Sequence, residues 1–231
     1  MEYVIEASGL GYTYPDGSLA LRDINLRVRR NESVCLIGPN GSGKTTLLLH
    51  LNGILRPARG KLRVVGLDVN EKNLKLIRSN VGVVFQNPDD QLFMPSVYED
   101  VAFGPLNAGI KGKELEDKVA KALDVVGLEG YGVKSSNHLS FGEKKRVSIA
   151  TVLSMGPDIL VLDEPTLGLD PWIRGDFMEL IDELQRTHTV VIASHDLALS
   201  ELSDSVYLMG DGQLSDRLDE PGLSQIRDSL R

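Results

Sequence analysis

An apolar run that stops abruptly at a glycine loop constrains this chain more than any other feature. Ser33-Val34-Cys35-Leu36-Ile37 has the length and character of a strand. It leads into Gly38-Pro39-Asn40-Gly41-Ser42-Gly43-Lys44-Thr45, and Thr46-Leu47-Leu48-Leu49-His50-Leu51 then reads as a helix. Strand, glycine loop, Lys-Thr and helix in this order form the phosphate-binding loop G-x-x-x-x-G-K-[ST]. Gly38, Gly41 and Gly43 let the backbone turn tightly and point its N–H groups inward. The helix that opens there adds its positive end. Lys44 can place an ammonium on the β- and γ-phosphates, and the Thr45 hydroxyl can ligate Mg²⁺. The ligand class is therefore a nucleoside triphosphate.

The rest of the chain supplies strands and helices around this loop. Val4–Ala7 and Leu10–Tyr14 read as short strands, Pro15-Asp16-Gly17 as a turn, and Leu21–Val28 as a strand. Together with Ser33–Ile37 they predict a small antiparallel sheet feeding the phosphate-binding strand. Lys61–Gly66 and Val81–Phe85 are further strands, with a short helix at Glu71–Arg78 between them. From Asn87 to about Met155 the pattern turns helical, with apolar positions at helical spacing in Val97–Phe103 and Glu114–Val126, and a further helix over Ser140–Leu153. Strand–helix alternation then returns: Ile159–Leu162, Trp172–Gln185, Thr189–Ala193, and a hairpin at Val206–Leu214. The tail from Ser215 is polar, with one short helix candidate.

Bulk properties narrow the function. The 231 residues carry a net charge of −8, which disfavours nucleic acid as a partner. The densest basic cluster, Arg27 to Arg30, reads as a solvated strand face. The single cysteine, Cys35, lies inside an apolar strand and reads as a small buried hydrophobe. No apolar run approaches the roughly 20 residues needed to cross a bilayer, and residues 1–10 lack the pattern of a secretion signal, so a cytoplasmic location is expected.

Two further constellations carry chemistry. Asp163-Glu164 follows an apolar strand, the arrangement in which Asp163 holds Mg²⁺ and Glu164 polarises a water for attack on the γ-phosphate. Leu139-Ser140-Phe141-Gly142-Glu143 opens a helix, with Ser140 as N-cap and Glu143 completing a capping box. Ser140, the Gly142 amide and the helix end can form a second phosphate site, and a separate half-site of this kind suggests closure by two subunits.

These motifs resemble, in order, those of the ABC ATPases, over about residues 3–214. The phosphate-binding loop at 38–45, Gln86 at the end of a strand, the signature at 139–143, Asp163-Glu164, Gly168-Leu169-Asp170 and His195 all fit. The resemblance implies an α/β fold with a mainly parallel sheet, an N-terminal antiparallel β subdomain and an inserted helical subdomain. It divides the single domain 1–231 into 1–86 and 156–214 (core with β subdomain), 87–155 (helical) and 215–231 (tail). It implies ATP and Mg²⁺ as cofactors, with Gly38 to Thr46 around the phosphates and Thr45, Gln86 and Asp163 at the metal. It implies Tyr14 on the adenine, with Tyr12 as the fallback. Lys44, Gln86, Glu164 and His195 would act in hydrolysis. Asp170, Ser140 and Gly142 would lie at the interface with a second ATPase subunit, a homodimer being favoured because the chain holds every part of the site. One departure stands out: the usual Leu-Ser-Gly-Gly-Gln carries Phe141 and Glu143 here, and Glu143 is expected to pair with Lys144, Lys145 or Arg146.

Phe85-Gln86-Asn87-Pro88-Asp89-Asp90-Gln91-Leu92-Phe93, with Tyr98-Glu99-Asp100-Val101-Ala102-Phe103-Gly104-Pro105, resembles the ATPases of energy-coupling factor transporters, a group that includes cobalt and nickel importers. This implies a peripheral subunit on the cytoplasmic face of the cell membrane, with a transmembrane coupling subunit and a membrane substrate-binding subunit as partners. Leu92, Phe93 and Met94 form an apolar knob among charges, suited to grip a partner helix or to pack within the chain. The alternatives are another class of ABC transporter ATPase, or a soluble ABC switch on nucleic acid or ribosomes. The single cassette, the absence of a long coiled-coil insertion and the acidic charge all argue against the switch.

Overall fold

The computed structural model describes residues 3–218 and Gly222. In chain order the elements begin with β1 (Tyr3–Thr13), β2 (Leu19–Arg29), β3 (Ser33–Ile37), α1 (Lys44–Leu51), β4 (Arg59–Val64), β5 (Leu67–Asp68), α2 (Leu74–Asn80) and β6 (Val81–Val84). They continue with α3 (Val97–Asn107), α4 (Lys113–Val125), α5 (Phe141–Leu153), β7 (Ile159–Asp163), α6 (Pro171–Gln185), β8 (Thr189–Ser194), α7 (Leu197–Glu201), β9 (Ser205–Gly210) and β10 (Gln213–Arg217). The short helix candidate in the tail lies outside the described residues.

The strands form a four-stranded antiparallel sheet, β2-β1-β4-β5, and a six-stranded sheet, β10-β9-β3-β8-β7-β6. Within the second, β9, β3, β8, β7 and β6 run parallel, and only β10 turns back against β9. This corrects one expectation. Ser33–Ile37 does not join the antiparallel sheet; it lies between β8 and β9 as a parallel strand. All five of its residues are buried, as a strand covered on both faces requires. The two expected strands Val4–Ala7 and Leu10–Tyr14 are one strand with a register shift between Ala7 and Leu10. Gly9, at φ +60°, absorbs that shift as a bulge.

Side-chain alternation along the central strands divides the core in two. Cys35 and Ile37 of β3, Leu160 and Leu162 of β7 and Val190 and Ile192 of β8 face one cluster, which they share with α3, α4, α5 and α6. Val34 and Leu36, Val161, and Val191 and Ala193 face the other, with α1 and the antiparallel sheet. Side-chain caps start two of the helices that frame the site. Ser96 caps α3 by accepting from the Glu99 amide, and Asp170 caps α6, with Pro171 in its first turn. Among the described residues, no helix is long and apolar enough to cross a membrane.

Candidate nucleotide site

The carboxyl ends of β3, β7 and β8 converge at one edge of the parallel sheet, where open α/β sheets place their ligands. A cavity of about 520 Å³ opens there, lined by Tyr14, Asn40, Gly41, Gly43, Lys44, Thr45, Thr46, Gln86, Glu164 and His195. The loop from Gly38 to Gly43 is shaped by contacts that exclude side chains. A Cβ on Gly38 would stand 2.1 Å from the Met209 carbonyl oxygen, and one on Gly43 would stand 2.6 Å from that of Ala20, at φ +107°.

Lys44 is buried at the first position of α1. Its Nζ donates to the carbonyl oxygens of Gly38 (2.7 Å) and Pro39 (3.1 Å) and lies 3.7 Å from Glu164 Oε1. The ammonium is thus folded back onto the loop, held near where phosphate oxygens would enter. The Thr45 hydroxyl donates to Asp163 Oδ2 at 2.8 Å, joining the start of α1 to the end of β7. The Tyr14 and Thr46 hydroxyls are 2.9 Å apart, which fixes the Tyr14 ring at the cavity mouth. The Ser42 hydroxyl is buried without a hydrogen-bond partner.

Asp163 ends β7, and Glu164 follows in the left-handed region at φ +45°. Such a conformation costs about 1–3 kcal/mol in a residue other than glycine and persists only where its surroundings impose it. The Glu164 amide donates to the Ala193 carbonyl (2.9 Å). Its Oε2 accepts from the Ser194 hydroxyl (3.1 Å) and the His195 amide (3.3 Å), and lies 2.9 Å from His195 Nδ1. Asp163 Oδ1 and Glu164 Oε1 are buried without hydrogen-bond partners. Burial, more than the neighbouring Glu164, pushes the Asp163 carboxyl above its usual range.

These orphaned oxygens fit a cation. No group of three acidic, His or Cys residues suited to a metal occurs among the described residues. The Thr45 hydroxyl and the orphaned Asp163 oxygen would hold Mg²⁺ together with phosphate and water oxygens, the sparse protein ligation that this ion favours.

Ser140 and Gly142 lie elsewhere. They line a second cavity of about 540 Å³ with Glu143, Arg146 and Ile173, so within one chain the signature and the phosphate-binding loop belong to separate cavities. Glu143 is not paired with Lys144, Lys145 or Arg146. Its Oε2 accepts from the Ser140 amide (2.7 Å), closing the capping box, and its Oε1 accepts from the Tyr131 hydroxyl (2.8 Å). These bonds hold its carboxyl below the usual range, the Ser140 amide first. The nearby cations are engaged elsewhere: Lys144 with Asp89 (2.7 Å), Lys145 with backbone carbonyls, and Arg146 with the Val126 carbonyl (2.9 Å). Asp170 Oδ1 accepts from the Trp172 and Ile173 amides as the α6 cap. The Phe141 ring packs on Gly168, leaving 2.9 Å for a Cβ there.

Several residues that shape the site escaped the sequence reading. Gln91 Oε1 accepts from the Phe85 amide, while its Nε2 donates to the Ser148 carbonyl and Thr151 hydroxyl, tying the end of β6 to α5. Asp100, buried in α3, accepts from the Phe93 and Met94 amides and the Ser136 hydroxyl, which shapes the loop after Gln91. Ser194 supports Glu164. Lys145 enters the sequence reading only as a partner for Glu143, although its place three residues after Gly142 and four before Ile149, both buried positions of the same helix, is a signal that would have placed it inside.

Fold and cavity together define a P-loop protein that handles a nucleoside triphosphate. Residues 21–167 match the family model described as ABC transporter. The chain is 52% identical to the energy-coupling factor transporter ATP-binding protein EcfA of Methanothermobacter thermautotrophicus, over 91% of this chain and 69% of that one. It is 49% identical to the EcfA of Methanocaldococcus jannaschii, over 92% of this chain and 77% of that one. Its fold is similar to that of cbiO1 from Clostridium perfringens, part of the ABC transporter complex cbiONQ, with a TM-score of 0.87, 37% identity, and coverage of 100% of this chain and 92% of that one. It is also similar to a dimeric ATP-binding cassette in a post-hydrolysis state bound to ADP and Pi, with a TM-score of 0.83, 27% identity, and coverage of 93% and 98%. The chain belongs to the ABC transporter family, as an ATP-hydrolysing subunit of the energy-coupling factor kind.

Proposed function

We propose that this chain is the motor subunit of an energy-coupling factor importer, working as a head-to-tail dimer in which each ATP is held between two chains. The observation that carries the reading is the separation, within one chain, of the phosphate-binding loop from Ser140 and Gly142, which leaves each cavity half of a site. A second copy turned head to tail would bring its Ser140 hydroxyl and Gly142 amide to the γ-phosphate. Asp170 would cross the interface.

In this reading Lys44 moves its donors from the Gly38 and Pro39 carbonyls to the β- and γ-phosphates. Tyr14 offers its ring to the adenine. Thr45, Asp163 and Gln86 would hold Mg²⁺, whose charge would offset the negative charge that develops on the phosphates. Glu164, fixed by Ser194 and His195, orients a water and accepts its proton. His195, half-exposed at the cavity, contacts the γ-phosphate. The loop after Gln86 carries the work outward. Lys144–Asp89 and the Gln91 bonds fasten it to α5, so a membrane partner docked at Phe93 would move with the signature helix. Phe93 stacks edge-to-face on Phe103, and both are exposed while Leu92 packs inside, so the apolar knob is chiefly Phe93. Cobalt, nickel or a vitamin would be the cargo, chosen by the membrane subunits.

Affinity purification of the tagged chain from solubilised membranes tests the reading. The expected result is co-purification with a transmembrane coupling subunit and a substrate-binding subunit. Recovery only from the soluble fraction, bound to nucleic acid or ribosomes, would support the soluble switch instead.

A further inference from the structure

Lys145 is a buried cation that the proposed function leaves without a role. It projects from α5, one turn beyond Ser140 and Gly142, and is 3% exposed. Its Nζ donates to the Glu164 carbonyl at 3.0 Å and to the Gln86 carbonyl at 3.2 Å, and stands 5.5 Å from the centroid of the Phe141 ring. A buried ammonium carries a desolvation cost of several kcal/mol, and an unbranched apolar side chain such as Met would fill the same space without it. Packing alone does not explain a lysine here; its two carbonyl partners do.

We propose that Lys145 is a positioning residue for hydrolysis, fixing the backbone of Glu164 against that of Gln86 and tying both to the helix that carries the signature. Glu164 sits in a strained left-handed conformation, which its surroundings must impose. Its amide is held by the Ala193 carbonyl and its own carbonyl by Lys145, so the residue is clamped on both sides. Without the ammonium, the peptide after Glu164 is free to rotate toward an ordinary conformation, swinging the carboxylate away from the point where water must be held. The same ammonium carries any displacement of α5 relative to the sheet directly to Glu164 and Gln86. Closure of the dimer on the signature helix thus reaches the attacking carboxylate through one side chain. The inference rests on the reading in which Glu164 activates the water.

The test is steady-state ATP hydrolysis by the purified chain carrying Lys145→Met or Lys145→Gln, with affinity for a non-hydrolysable ATP analogue and thermal melting measured in parallel. Lys145→Met is expected to lower kcat at least about tenfold while leaving analogue affinity within about threefold, because a displaced catalytic group loses rate rather than ground-state binding. Its melting temperature should be equal or higher. Lys145→Gln, whose amide can still donate, should recover part of the rate. A Lys145→Met kcat within about twofold of wild type overturns the inference. So does a parallel fall in kcat and affinity that Lys145→Gln fails to relieve. If Lys145→Met does not fold, the Gln variant decides: reduced kcat at unchanged affinity supports the role, and wild-type kcat removes it. Glu164→Gln serves as the control. Hydrolysis lost in Glu164→Gln but retained in Lys145→Met overturns only the role of Lys145, whereas rapid hydrolysis by Glu164→Gln removes the reading beneath it.

Discussion

His195 Nδ1 lies 2.9 Å from Glu164 Oε2, and the pair is unequal: the His195 side chain is 49% exposed and that of Glu164 only 7%. The imidazole reaches into the cavity while its inner nitrogen secures the carboxylate behind it. Glu164 Oε1 is left without a hydrogen-bond partner and 3.7 Å from Lys44 Nζ, the oxygen best placed to receive a water.

Replacing Glu164 with Gln keeps the shape and removes the base. Hydrolysis should fall by about 10²–10⁴-fold, the span typical of general acid–base catalysis, with ATP still bound. Size-exclusion chromatography with ATP should show a dimer peak that persists for hours, whereas the wild-type peak decays as ATP is consumed. A variant that keeps turning over would take Glu164 out of this role.

Lys44→Ala tests binding rather than chemistry. The substitution removes the ammonium from the phosphate position and frees the Gly38 and Pro39 carbonyls to water in an open cavity. Nucleotide affinity should fall by about 10–100-fold, or about 1.4–2.8 kcal/mol. Titration with a fluorescent ATP analogue measures it, and retained affinity would contradict the proposed cradle.

Glu143 stands where the family's usual signature has Gln, and its bonds give it a pH signature. Its carboxyl is held below the usual range in the folded chain, so its contribution to stability is present above the unfolded value near 4.5 and is lost as pH falls through the folded value. Glu143→Gln should therefore melt below wild type at neutral pH, with the gap closing in acid. An equal gap at both pH values would mean that the cap does not depend on the charge.

Cys35 lies in the middle of β3, fully buried, and burial pushes its thiol up to about 12. At pH 8 the native protein should resist iodoacetamide and label only on unfolding, as the reactive species is the thiolate. Rapid labelling without loss of structure would place Cys35 outside the packed sheet.

Local signals carried much of this far. The loop from Gly38 to Thr45 was legible because close backbone approaches force glycine at fixed positions, and Asp163-Glu164 because four apolar residues precede it. Strand partnership was not. Ser33–Ile37 reads as a strand equally well in either sheet, and only the remote β8 and β9, more than 150 residues away along the chain, decide between them. Glu143 was misassigned for a related reason. Three adjacent cations suggest pairing along the sequence, but the helix turns Lys144 toward Asp89 and Lys145 toward the sheet, and the expected capping box with Ser140 takes one Glu143 oxygen while Tyr131 takes the other. The links from Gln91 to α5 span 57 and 60 residues and leave no local pattern to read.

The loop after β6 offers the sharpest test of coupling. Asp89 is 61% exposed and its ion pair with Lys144 lies at the surface, so breaking it should cost no more than about 1 kcal/mol. Phe93 is 64% exposed and contributes little to the core beyond its contact with Phe103. Neither residue lines the nucleotide cavity. Asp89→Asn and Phe93→Ala should therefore fold, bind ATP and hydrolyse it at close to wild-type rates as isolated chains. In the membrane complex the same variants should lose partner-dependent transport, because Phe93 provides the apolar grip and Asp89 fastens that grip to α5 through Lys144. Reconstituted vesicles that report uptake and hydrolysis together would separate the two effects. Uptake per ATP equal to wild type in both variants would move the docking surface away from this loop.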